Sequence, residues 1–486
     1  MFPTGFVWGA GSSAYQVEGC TQTDGRGHSV WDVFCQKPGA VRSGHTGDTA
    51  CDHYRRFRDD VAIMHQIGLQ AYRLSIAWPR VIPDGVGRVN SPGLAFYDQL
   101  VDALLAAGIE PWVTLFHWDF PQALFRCGGW LNRDSPEWFA EYTRVVVERL
   151  SDRVRHWITI NEPQIFLGLG HGSGTHAPGL QLPFAEQLLA AHHALMAHGR
   201  AVQVIRERAR TTPIVGWAPV GRVEYPATQS PADIEAAQRS TFSVTKRDMW
   251  NNSWFADPVC LGGYPEEALE LFGETAPRPH PGDMELIRQP LDFFGVNIYS
   301  GEPVGAGGDG EPIPVPRPPG SAQTSMKWPV APESLYWGPK FLAERYGLPI
   351  VITENGMANL DWPDEEGRIR DHQRIDFTRR YLRALSNACA DGVDVRGYFH
   401  WSIMDNFEWA EGYMERFGLV YVDYATQRRI LKDSAKWYSQ IIASRGGILV
   451  DGFAGSGSQN TPADRLIEVR LAGPEIRQAT QEGHGV

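Results

Sequence analysis

The chain predicts an α/β protein, a single (β/α)8 TIM barrel with long βα loops around its C-terminal mouth. Three observations carry that expectation. Eight short runs rich in β-branched and aromatic residues alternate with helical segments along the chain. The runs are near-continuously apolar, as parallel strands covered on both faces must be. Two of them, Ile158-Thr159-Ile160-Asn161-Glu162 before Pro163 and Val351-Ile352-Thr353-Glu354-Asn355 before Gly356, end by handing a carboxylate and an amide to a turn. An open doubly wound sheet also alternates strands with helices, but no GxGxxG turn supports one here.

Taken in order, residues 6–10 read as the first strand, and Gln16 and Glu18 follow in its loop. Over 58–68, Val61, Met64 and Ile67 form a helical face closed by Gly68. The second strand, from Ala71, is expected to stop at Pro79 and carries Arg73. A helix over 94–107 with a stop at Gly108 leads into a strand over 110–116, tipped by His117-Trp118-Asp119. A helix over 137–150 feeds the strand that ends at Asn161-Glu162. There follow a helix over 187–208, a strand over 214–218, a helix over 231–242 and a strand over 293–299. The Glu354 strand, a helix over 372–390, a strand over 395–401 and a helix near 432–443 complete the pattern. The Gly/Pro-rich stretch 301–320 reads as a long loop over the mouth. Residues 1–445 make one catalytic barrel, and 446–486 are a C-terminal extension, partly ordered and of unknown role.

Composition narrows the function classes. A net charge of −12 with no compensating basic run excludes nucleic acid and anionic membrane as partners. No basic segment followed by a long apolar run opens the chain, and no apolar stretch reaches transmembrane length, so a cytoplasmic protein is expected. Six scattered cysteines without CxxC spacing read as reduced thiols, with no metal site. The helical His192, His193 and His198 lack the spacing of a metal pair, and the glycines of 168–174 lack the Lys-Ser/Thr of a phosphate loop, so that stretch reads as a flexible mouth loop. Asp361 to Glu366 read as solvated loop residues. Nothing in the sequence distinguishes a monomer from a homo-oligomer.

Two strand-end glutamates at one mouth are the apparatus for breaking a glycosidic bond. Either alone is more often a solvated loop residue. Together, with an Asn beside each and tryptophans at other strand ends, they point to a nucleophile at Glu354 and an acid/base at Glu162. Arg73, inward from its strand, is a counter-ion for Glu354 or a structural ion-pair partner. Asn297 and Tyr299 alternate along one strand and so share a face, from which Tyr299 reaches Glu354. Asn161 is placed to hold the sugar hydroxyl next to the anomeric carbon. Gln16, His117, Trp401, Glu408 and Trp409 supply the hydrogen-bonding groups and aromatic surface that a sugar needs, although His117-Trp118 also reads as a core-facing pair.

These motifs resemble glycoside hydrolase family 1, the β-glucosidase family. The resemblance lies in Asn161-Glu162-Pro163, Ile352 to Gly356, Trp401 to Trp409, Phe6 to Glu18 and Phe116 to Gln122, and it spans roughly residues 1 to 445. It implies retaining hydrolysis of β-glycosides such as cellobiose without a cofactor, with Glu162 as acid/base and Glu354 as nucleophile. It further implies a glycone site of Gln16, His117, Asn161, Asn297, Tyr299, Trp401, Glu408 and Trp409 with Phe417 beside them, and Trp328 as an aglycone platform. Gln164 stands where many members carry an aromatic residue. Two rival readings are a barrel that binds sugars without hydrolysing them and a 6-phospho-β-glycosidase.

Overall fold

Eight parallel strands form one sheet in the computed structural model, which describes residues 2–449. They are β1 Val7–Gly11, β2 Ala71–Ser75, β3 Glu110–Phe116, β4 His156–Asn161, β5 Ile214–Ala218, β6 Phe294–Asn297, β7 Ile350–Asn355 and β8 Val395–Trp401. Their order is β5-β4-β3-β2-β1-β8-β7-β6, every neighbour parallel. The two ends of that order meet at a seam, where Asn297 N donates to Pro219 O at 3.0 Å and Gly221 N to Asn297 O at 2.8 Å. The sheet is thus rolled into a nearly closed barrel, the predicted architecture.

Side-chain alternation splits the apolar residues into two bodies. Outward residues such as Tyr72, Leu74, Ile350 and Ile352 pack with the surrounding helices. Inward residues Ala71, Trp112, Ile158, Ala218, Phe293, Val351 and Phe399 form a separate plug inside the barrel. Trp112 is its centre, 5.4 Å from Phe293 and 5.0 Å from Phe399 between ring centroids. Gly9 is required there, because a Cβ would lie 2.5 Å from the Phe399 ring.

The alternation breaks twice, at the upper ends of β4 and β7. On β4, Thr159 faces out to His198, at 2.6 Å, yet Asn161 two residues later faces the mouth, and the pairing with β5 shifts register between Ile158 and Asn161. On β7, Val351 faces in and Ile352 out, yet Glu354 faces the mouth, and the pairing with β6 shifts between Ile352 and Glu354. An extra residue in one strand re-aims the next side chain to the other face.

Several expectations are corrected. β2 ends at Ser75, and Trp78–Val81 is already a helical turn, because Pro79 suits the start of a helix. β6 ends at Asn297, so Tyr299 lies beyond the strand. The 301–320 stretch is not wholly loop: Glu302–Ala306 pairs antiparallel with Pro312–Pro314 and parallel with Glu224–Pro226. Pro312 and Pro314 sit on its edge strand, where no amide is missed. Gly168–Ser173, read as a flexible loop, is a π-helical turn in which buried His171 bonds to Phe166 O through Nδ1 at 2.8 Å. A helix over Ser334–Tyr346, which contains Pro339, precedes β7 where none was expected.

Asp361 is also not solvated. Its side chain is buried, 2.6 Å from Lys432 Nζ and 2.8 Å from Arg374 Nη2, and Lys432 reaches Asp405 at 2.6 Å as well. Arg416 adds a further contact to Asp405 at 2.7 Å. This network ties the loops after β7 and β8 to the start of the helix Asp433–Ala443. The last described residue, Leu449, is buried, and its carbonyl accepts from Arg383 at 2.8 Å. The expectation of a partly ordered extension falls otherwise on 450–486, outside the described residues.

Candidate active site

The mouth is built around Arg73, which rises inward from β2 and is almost fully buried. Its Nη1 donates to Glu354 Oε1 on β7, its Nη2 to Asn161 Oδ1 at 2.6 Å, and its Nε to Thr114 Oγ1 on β3 at 3.2 Å. The other oxygen of Glu354 accepts from Tyr299 OH at 2.7 Å. Both oxygens of Glu354 are therefore held by donors. Gly356 lets the chain turn away directly afterwards, since a Cβ there would lie 1.9 Å from Trp401 O.

Glu162 is held differently. It sits just past β4 in the left-handed region, with φ 44° and ψ 67°, and begins the helix Pro163–Leu167 without folding its side chain back to cap it. Its Oε1 instead accepts from Asn297 Nδ2 at 2.9 Å. No cation contacts it among the described residues. Thr353 Oγ1 donates to Asn297 Oδ1 at 2.6 Å, which fixes the orientation of that amide.

Burial and the neighbouring Glu354 push the Glu162 carboxyl well above the ordinary carboxylate range. Burial raises Glu354 too, but by less, because Arg73, Tyr299 and Asn297 pull it part of the way back. Of the two, Glu162 is the one that keeps its proton.

The other expected residues converge on the same space. Asn161 Oδ1 accepts from Arg73 and from Asn297 at 3.0 Å, so its Nδ2 must donate to His117 Nε2 at 3.2 Å. His117 then carries its proton on Nδ1, and burial followed by the Arg73 charge keeps the ring neutral. His117 stacks on Trp401 at 5.7 Å, while Trp118 Nε1 donates to Asn161 O at 3.0 Å. Trp409 is wedged 4.5 Å from Trp118 and 4.6 Å from Trp31. Gln16 Nε2 donates to Glu408 Oε2 at 3.3 Å and to Asn406 Oδ1 at 3.0 Å. Glu408 is half-buried, and burial with the charges of Glu354 and Glu415 pushes it up to about 8. Trp328 lies 5.2 Å from Tyr299 and 5.9 Å from Phe417, at the outer side of the pocket.

Sequence reasoning missed the supports of these groups: Thr114, Thr353, Asn406 and the ring of Trp31. Asn406 lay within a motif already singled out, and Thr353 stands directly before Glu354. Among the described residues no cluster of His, Cys, Asp and Glu is suited to a metal, and no helix is long and apolar enough to cross a membrane.

A parallel barrel that gathers two buried carboxyls, neutral amides and tryptophans at its C-terminal mouth defines a carbohydrate-hydrolysing enzyme. The family model described as "Glycosyl hydrolase family 1" matches residues 1–447. The chain belongs to glycosyl hydrolase family 1. It is similar to β-glucosidase A of Thermotoga maritima, at 44% identity over 92% of this chain and 98% of that one. A β-glucosidase of Agrobacterium sp. is 42% identical over 90% of this chain and 95% of its own length. The Thermotoga maritima β-glucosidase solved with glucoimidazole superposes with a TM-score of 0.84 at 44% identity, covering 92% of this chain and 99% of that chain.

Proposed function

We propose that the protein is a retaining β-glucosidase that releases terminal non-reducing β-D-glucosyl residues from short β-glucans such as cellobiose and from aryl and alkyl glucosides. The observation that carries the reading is the unequal support of the two carboxyls. Glu354 receives a guanidinium and a phenol, whereas Glu162 receives one neutral amide. Glu354 attacks the anomeric carbon as its C–O bond to the leaving group breaks, and Glu162 gives its proton to the departing oxygen. Glu162, now ionised, then takes a proton from water, whose oxygen displaces Glu354 and restores the β configuration. Arg73 and Tyr299 keep Glu354 ionised and aimed.

Glu408, Gln16 and Trp409 receive the 4- and 6-hydroxyls, His117 and Asn161 the remaining ring hydroxyls, and Trp401 the apolar ring face. Trp328 is the surface for the leaving sugar. A loose 4-hydroxyl contact gives side activity on β-galactosides and β-fucosides. Relatives named 1,4-beta-D-glucan glucohydrolase from Thermotoga neapolitana support a role in cellulose breakdown. Six free cysteines support a reducing, cytoplasmic setting.

Hydrolysis of an aryl β-glucoside by the purified protein separates this reading from a non-catalytic sugar-binding barrel. Glu354→Ala is expected to lose nearly all turnover and to recover it with azide, as the α-glucosyl azide, because the anion replaces the missing nucleophile. Turnover by Glu354→Ala without azide at the parent rate would refute the assignment.

A further inference from the structure

The acid/base carboxyl stands on a strained backbone, and something must hold it there. A non-glycine residue in the left-handed region is strained and persists only where its surroundings fix it. Its main chain is held by Glu162 N, which donates to Ala218 O at 2.8 Å, and by its carbonyl, which accepts from Ile165 N at 3.0 Å in the short helix that follows. The next support comes from Gln164, one residue into the short helix and 2% exposed.

Its amide grips the opposite wall of the seam. Gln164 Oε1 accepts from Val220 N at 3.2 Å, while Nε2 donates to Val220 O and to Asn251 O, each at 3.4 Å. The orientation is unambiguous, because Val220 N can only donate and the two carbonyls can only accept. Val220 in turn bridges to Asn297, with Asn297 N on Pro219 O and Gly221 N on Asn297 O. Asn297 Nδ2 then returns to Glu162 Oε1. The contacts form a closed circuit: Glu162 backbone, Gln164 side chain, Val220 backbone, Asn297 backbone, Asn297 side chain and Glu162 carboxyl.

We infer that Gln164 is a positioning residue for Glu162: its amide registers the turn carrying Glu162 against the seam that carries Asn297, and so fixes where the carboxyl meets the leaving-group oxygen. The inference rests on Glu162 being the general acid. Its reach is therefore limited to substrates whose leaving group needs a proton.

The test compares an alkyl β-glucoside with 2,4-dinitrophenyl β-glucoside, whose leaving group needs none. The ratio of the two activities in one preparation is independent of how much of it is folded. Gln164→Met, which keeps the side-chain length and removes the amide, is expected to lower kcat/KM for the alkyl glucoside about tenfold or more and to change the dinitrophenyl value by less than about twofold. Gln164→Glu is the second variant. Ionised, it opposes both carbonyls, and protonated, it can donate to one, so its substrate ratio is expected to recover towards the parent's as pH falls.

Glu162→Ala is measured beside them. A ratio that shifts in Glu162→Ala but stays at the parent value in both Gln164 variants overturns the positioning role alone. A ratio unmoved in Glu162→Ala overturns the acid assignment and this inference with it. Equal losses on both substrates in the Gln164 variants mark a merely structural residue and also overturn the inference.

Discussion

Removing the charge of Glu354 should lower the proton affinity of Glu162. The charge of Glu354 raises the Glu162 carboxyl across the mouth, and the two carboxyls of a retaining pair stand about 5.5 Å apart. Two like charges at that distance, at an effective dielectric of about 20, repel by about 3 kcal/mol. That energy corresponds to about two pKa units. In Glu354→Gln the repulsion is gone but burial remains, so Glu162 should titrate about two units lower than in the parent and still above the ordinary carboxylate range. Carbon-13 NMR of protein labelled at the glutamate carboxyl reads this directly, with Glu162→Gln to assign the resonance. In the parent, the same group sets the alkaline limb of kcat/KM, because activity is lost once the acid has given up its proton. A Glu162 resonance that titrates unchanged, or higher, in Glu354→Gln would refute the coupling and the division of labour drawn from it.

The remaining expectations concern specificity and stability. Glu408 lies beside Glu415 and Glu411 in a setting that already resists negative charge. The kcat/KM for an aryl β-glucoside should therefore far exceed that for its 6-phosphate, and Glu408→Ser should narrow the gap chiefly by lowering the former. Comparable turnover of the phosphorylated substrate by the unmodified protein would contradict this pocket and favour a 6-phospho-β-glycosidase. Lys432→Met takes the shared cation from Asp361 and Asp405, leaving each with one arginine, Arg374 and Arg416, and should cost about 3 kcal/mol or less, read as a fall in melting temperature. Although the Asp361 side chain is buried, Arg374 and Lys432 hold it below the usual carboxylate range. Its contribution to stability is thus fully present above the unfolded-state value and disappears as pH falls through the lower folded one. Asp361→Asn should accordingly be less stable than the parent at pH 7 and lose less on acidification. An equal acid-induced drop in the two proteins would show that Asp361 is not ionised in the fold.

The barrel was legible because parallel strands covered on both faces leave apolar runs that no loop imitates, and β1 to β8 each lie within a residue or a few of such a run. The helix Ser334–Tyr346 was not, since Gly338 and Pro339 interrupt its pattern at the middle. Pro312 and Pro314 likewise hid an edge strand, a position that tolerates them. Asp361 looked solvated because its partners, Arg374 and Lys432, are remote in sequence, and a run of acids gives no sign of which one turns inward. At the mouth, residue types were readable and their aim was not. Strict alternation puts Asn161 on the face of Thr159 and Glu354 on the face of Ile352, both towards the helices, and the register shifts that reverse this leave no mark in composition.

Those two shifts decouple the pocket from the wall beneath it. Because the phase of each strand is reset just below its carboxyl, the packing of Ile158 or Val351 inside the barrel can change without rotating Asn161 or Glu354. A change in residue count acts differently. Three steps on β4 stand against two on β5, so losing one position between Ile158 and Asn161 would restore the regular pleat with the amide still aimed at the mouth, and would remove one side chain, such as Thr159 on His198, from the helical layer. The site is therefore tolerant of altered side chains low in the barrel.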